Sequence, residues 1–128
     1  MQNIYANLEE TIKQNEVLYS YDYKIQEVKR IIQDRPECRF AIYGSGVTAN
    51  KMLSDLKDNL NNIVGVYDGK FKHGTVINFN ICQKSVLSLD NIYLDNIQYI
   101  VLGSEKPDVI ELLRQRIKHL KKEGIGII

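Results

Sequence analysis

Four short apolar runs alternate with helix-patterned stretches through the last ninety residues of the chain, and that alternation leaves few folds open. Phe40-Ala-Ile-Tyr43 stops at Gly44, Ile63-Val-Gly-Val-Tyr67 at Asp68-Gly69, and Gln98-Tyr-Ile-Val-Leu102 at Gly103-Ser104; Ile125-Gly-Ile-Ile128 is the fourth. Runs of this length, apolar throughout, read as strands buried on both faces. Between them, Met52, Leu53, Leu56 and Leu60 mark one helical face, and Ile110, Leu113, Ile117 and Leu120 another. Pro107 suits the first turn of the second helix and Gly124 its end. Ile77, Phe79 and Ile81 alternate with Asn78 and Asn80, which predicts a fifth strand with one polar face, and Ser85 is read as the cap of a short helix running to Leu89. Strands alternating with amphipathic helices predict an α/β fold with a doubly wound parallel sheet of about five strands in the order 3-2-1-4-5.

The first 36 residues carry a different rhythm, read as an N-terminal helical extension to a domain spanning residues 37–128. Ile4, Leu8 and Ile12 recur at four-residue steps, and Ile25, Val28 and Ile32 renew the pattern. The intervening Leu18–Tyr23 breaks it, with Ser20 or Asp22 as the cap of the second helix, and Pro36 closes that helix. These two stripes offer a surface for packing on the sheet domain, for a second copy of the chain, or for a fused or separate catalytic partner.

Charge and composition exclude several classes of function. Seventeen basic side chains against sixteen acidic ones leave a net charge of +1, which lacks the cationic excess that nucleic-acid binding draws on. The 44% apolar content argues against disorder, and no run approaches the ~20 apolar residues of a membrane span. The N-terminus has neither the basic start nor the apolar run of a signal peptide. Cys38 and Cys82 lack metal-site spacing and read as reduced thiols, which places the chain in the cytoplasm.

The segment richest in chemistry is Gly44-Ser-Gly46-Val-Thr48-Ala49, a G-x-G-x-x-A pattern directly after a predicted strand and before a predicted helix. The first glycine permits a sharp turn, the second lets a phosphate approach the backbone, and the small third residue lets helix pack on strand. Free amides at the helix start favour an anion, with Ser45 and Thr48 as further donors. The alternative is a tight packing turn with no ligand. Asp68, 24 positions after Gly44 and followed by Gly69, stands where a carboxylate accepts hydrogen bonds from ribose hydroxyls, or where Asp-Gly simply forms a turn. A carboxylate there disfavours a 2′-phosphate. Ser104 either contacts the ligand or caps the following helix. Lys70, Lys72 and His73 read as a solvated loop within reach of a ligand, and Arg114, Arg116, Lys118, Lys121 and Lys122 as the wet face of the last helix.

Catalytic patterns are missing. The sequence has no Walker-type phosphate loop, no G-x-S-x-G elbow, no tyrosine followed by lysine four residues later, and no Cys/His/Asp cluster at metal spacing. No catalytic residue and no metal ligand is therefore assigned.

From Arg39 onward the chain resembles the small Rossmann-like domains of bacterial sugar and polysaccharide biosynthesis, which occur in sugar O-acyltransferases, nucleotide-sugar dehydratases and the C-terminal parts of sugar methyltransferases. The resemblance is carried by Ile42-Tyr-Gly-Ser-Gly46, Ile63-Val-Gly-Val-Tyr-Asp68, His73-Gly74 and Tyr99-Ile-Val-Leu-Gly-Ser104. It implies that Gly44, Ser45 and Gly46 face a nucleotide or nucleotide-sugar diphosphate, and Asp68 a ribose or sugar hydroxyl. Ala49 stands in place of the usual third glycine, and only one acidic residue follows the second strand where such domains often carry two or three. The expected ligand is thus NAD or a nucleotide-sugar, held by a binding module that is accessory or regulatory in a carbohydrate pathway. The rivals are a subunit or fragment of an NAD-dependent oxidoreductase or sugar-modifying enzyme, and a protein-interaction module with a vestigial site.

Overall fold

The computed structural model of the chain describes residues 20–92 and 95–128. The first predicted stripe, Ile4 to Ile12, lies outside the described residues, so only the second half of the proposed helical extension can be placed. That half is helix α1 (Tyr21–Asp34), which begins at Ser20: its side chain accepts the Tyr23 N–H at 3.2 Å, while Asp22 falls inside the first turn. The helix stops two residues before Pro36.

Strands β1 (Phe40–Tyr43), β2 (Ile63–Tyr67), β5 (Tyr99–Leu102) and β6 (Gly126–Ile127) form where the apolar runs lie. Helix α2 (Val47–Asp55) and helix α3 (Pro107–Ile117) follow the glycine turn and Pro107. Each passes into a 3₁₀ segment, Lys57–Asn62 and Lys118–Glu123, so the predicted stripe at Leu60 is carried by a tighter turn than an α-helix.

The region after β2 departs from expectation. The single predicted strand over 77–81 is a hairpin of β3 (Val76–Asn78) and β4 (Gln83–Val86), reversing where the Phe79 N–H donates to the Cys82 carbonyl at 2.9 Å. Ser85 sits in β4 opposite Gly65, not at a helix start, and among the described residues the helical turn that follows is the 3₁₀ segment Leu89–Asn91. The sheet therefore has six strands in the order β3-β4-β2-β1-β5-β6, parallel except for the β3–β4 pair, and the expected five-strand order is corrected by one inserted strand. A purely parallel sheet needs a long crossover between neighbours, but an edge strand can join by a hairpin. Alternation of Ile77, Asn78, Phe79 and Asn80 could not reveal that reversal.

Successive β1 residues feed two cores. Phe40 and Ile42 pack with Ile25, Val28 and Ile31 of α1 and Met52 and Leu53 of α2, whereas Ala41 packs with Ile100, Leu102, and Ile110 and Ile117 of α3. All of these are buried, so the described chain is an α/β unit whose central strand is covered on both sides. Among the described residues no helix is long and apolar enough to cross a membrane.

Candidate functional site

The chain leaves β1 toward β2 on one side and later adds β5 on the other, so the strand order reverses at β1 and β5. Open α/β sheets place their ligand crevices at such points, beyond the carboxyl ends of the strands. Two glycine turns meet there. Gly44 has φ +124°, a conformation that L side chains rarely adopt, and its N–H donates to the Tyr67 carbonyl at 2.7 Å. Gly103 donates its N–H to the Tyr43 carbonyl at 2.9 Å, and a Cβ at 103 would stand 2.8 Å from that same oxygen. A Cβ at 44 would in turn stand 3.3 Å from the Gly103 carbonyl oxygen. The turns after β1 and β5 are thus locked against each other by backbone contact.

Gly46 differs. It is exposed, has a negative φ of −88°, and a Cβ there would meet nothing within 4 Å. It caps α2 without a side-chain hydrogen bond, leaving the amides that open the helix with no intrahelical acceptor. Above this turn lies a cleft of about 430 Å³ lined by Gly44, Ser45, Gly46, Asp68, Gly69 and Gly103, with Tyr43 and Tyr67 from the strand ends. Lys70, Val109, Leu113 and Arg116 complete the wall. A second hollow of about 220 Å³ shares Tyr43, Tyr67, Asp68 and Gly69 with it and extends toward Phe71, His73 and Leu89.

Five of the seven sequence-predicted binding residues, Gly44, Ser45, Gly46, Asp68 and Gly69, therefore line one cleft. Thr48 and Ser104 do not line it. The Ser104 hydroxyl accepts the Lys106 N–H at 3.1 Å, stabilising the turn ahead of α3, although Lys106 itself is the helix cap. The sequence predicts Arg116 on a solvated helix face, but Val109, Leu113 and Arg116 follow at helical spacing and bring the guanidinium-bearing face to the cleft. The interleaved signal was present in the sequence; which side of α3 overlooks the strand ends was not. Lys70 reaches the same wall, His73 the adjoining hollow.

Asp68 is the electrostatic centre. The Ser45 hydroxyl donates to its Oδ2 at 2.5 Å and the Lys70 N–H to its Oδ1 at 3.0 Å. Burial alone would raise the carboxyl, but the Ser45 hydroxyl, the Lys70 amide and charge, and the Ser45 amide together hold it below the usual carboxylate range. The glycine turn thus already holds one negative group of the chain's own. An added anion has its remaining donors at the start of α2 and on Arg116, whereas Asp68 presents free lone pairs to hydroxyl donors.

A larger hollow, about 480 Å³, runs along the β6 edge between α1 and the last 3₁₀ segment, lined by Tyr23, Glu27, Ile31, Tyr99 and Lys121 among others. It includes none of the residues Gly44, Ser45, Gly46, Asp68 or Gly103 that meet at the reversal point. Among the described residues no three His, Cys, Asp or Glu side chains cluster as metal ligands, and both cysteines are free thiols. No family model matches this chain, and neither curated proteins nor solved structures give a match.

Proposed function

We propose that this chain is a Rossmann-like, doubly wound binding module for a nucleotide, dinucleotide or nucleotide-sugar. One observation carries the reading: the Gly44–Gly46 turn, the Asp68 carboxylate and Arg116 share a single cleft at the reversal of strand order. In this reading a ribose or sugar diol donates to Asp68, and the phosphates lie further along, between the opening amides of α2 and Arg116. The adjoining hollow beside Phe71 and His73 takes the remaining ring of the ligand. NAD and UDP-sugars satisfy this arrangement; a 2′-phosphate would face the Asp68 charge. A role beside the enzymes of carbohydrate assembly rests on the sequence resemblance.

A thermal-shift screen with NAD, UDP, a UDP-sugar and coenzyme A at millimolar concentration tests it. A ligand present at 100 times its Kd stabilises the fold by about 2.7 kcal/mol. Melting unmoved by every one of these compounds overturns the proposal. One specific observation favours a second reading, an interaction module with an unused site: Ser45, the middle residue of the turn, already spends its hydroxyl on Asp68. Under that reading Ser45→Ala leaves ligand response at zero and alters only acid stability.

A further inference from the structure

Lys24 is 1% exposed, yet no carboxylate pairs with it among the described residues. Its Nζ donates to the Leu102 carbonyl at 2.8 Å and to the Ser104 carbonyl at 3.3 Å. Those two acceptors flank Gly103, the residue packed against Tyr43 and Gly44. The same end of α1 also packs on α2, the helix that the glycine turn opens. The Tyr21 hydroxyl donates to Asp55 of α2 at 2.5 Å, and Lys51 of α2 lies 4.0 Å from the Tyr21 ring centroid while pairing with Glu105 at 3.1 Å.

We propose that Lys24 is a positioning residue of the cleft: carried by α1, it grips the carbonyls on both sides of Gly103 and so fixes the wall against which the Gly44 turn closes. This rests on the cleft being the binding site. A purely stabilising role fits poorly, because a buried ammonium with no ion-paired carboxylate costs free energy that two carbonyl bonds and the Glu105 charge beyond ion-pair range only partly offset. The charged groups facing it are Arg114 of α3 and Glu105 of the β5–α3 turn. Burial first, and Arg114 second, push the amine down to about 8, with Glu105 opposing. What the lysine supplies is geometry at the turn, at a cost in stability.

Lys24→Met keeps the apolar stem and removes the donor. The expected result is a thermal midpoint no more than about 5 °C below wild type. In the unliganded protein, exchange of the Gly103 and Gly44 amides quickens at least tenfold, and UDP or NAD binds at least fivefold more weakly. A residue important only for stability would instead lower the midpoint and quicken exchange throughout the sheet. Unchanged exchange at Gly103 and Gly44 overturns the proposal, whatever the binding result. If wild type binds neither probe, the nucleotide reading falls while the exchange data still decide the role of Lys24. Should the variant not fold, wild-type NMR serves: the Gly103 amide resonance is expected to titrate with the midpoint of the Lys24 amine, and a Gly103 resonance flat through that midpoint overturns the proposal.

Discussion

Gly44→Ala and Gly46→Ala are the same substitution two residues apart, and the structure separates them sharply. At position 44 alanine must take φ +124° and bring its Cβ to 3.3 Å from the Gly103 oxygen. A sparsely populated backbone conformation costs about 1–3 kcal/mol, and the tight contact adds to it. Taking about 2–3 kcal/mol for the two together, and roughly 3–5 °C of melting temperature per kcal/mol at this chain length, the variant is expected to melt about 6–15 °C below wild type. At position 46 the backbone already suits alanine and the Cβ enters open space. Two small effects oppose each other there. Alanine is the poorer helix cap by about 0.5–1 kcal/mol, while the stiffer unfolded chain returns about 0.4–1 kcal/mol. The net change is expected within about 1 kcal/mol, under roughly 5 °C. If glycine at 46 serves ligand approach, its methyl group stands where the ligand backbone must pass, and affinity for UDP or NAD falls at least tenfold with the fold intact. Thermal melts and isothermal titration of both variants measure the two quantities. Wild-type affinity in Gly46→Ala, or wild-type melting in Gly44→Ala, would refute the reasoning.

Three further outcomes follow from named contacts. Asp68 is held below the usual carboxylate range, so its contribution to stability is present above the unfolded value of 3.8 and lost as pH falls through the folded one; Ser45→Ala is expected to move the Asp68 carboxyl titration upward, read by carbon NMR. Lys24 shifts the other way: between about 8 and its unfolded 10.5 the unfolded chain binds more protons, so stability rises with pH across that window, and urea midpoints of Lys24→Met should lack the rise. Gly65→Ala would place a Cβ 2.6 Å from the Ser85 carbonyl and 2.7 Å from Leu87 Cγ. It is expected to cost about 1–3 kcal/mol by overpacking, measured by denaturant unfolding, and a neutral result would argue against β4 lying beside β2.

Much of the candidate cleft is legible in the sequence because its parts are punctuation. A glycine that ends an apolar run marks a strand tip whether or not the neighbouring strand is known, and Gly44, Asp68 and Gly103 were all placed this way. The hairpin at 79–82 was not legible: Gln83-Lys-Ser-Val86 has the composition of a loop, and it becomes a strand because Gly65 lets the Ser85 backbone come close. Lys24 was invisible for a similar reason. On α1 it reads as one more polar residue of an amphipathic helix, and only the crossing of that helix over the end of β5 turns it inward.

The sequence by itself determined where strands and helices begin and end over most of residues 39–128, since periodicity and turn residues act within a few positions of themselves. Tertiary structure alone decided which polar groups face one another. The Ser45–Asp68 bond, the approach of Gly103 to Gly44, the presence of Arg116 on the cleft wall and the burial of Lys24 each join residues distant in the chain. Such pairings depend on how the faces of packed elements are oriented toward each other, and local sequence does not encode that orientation.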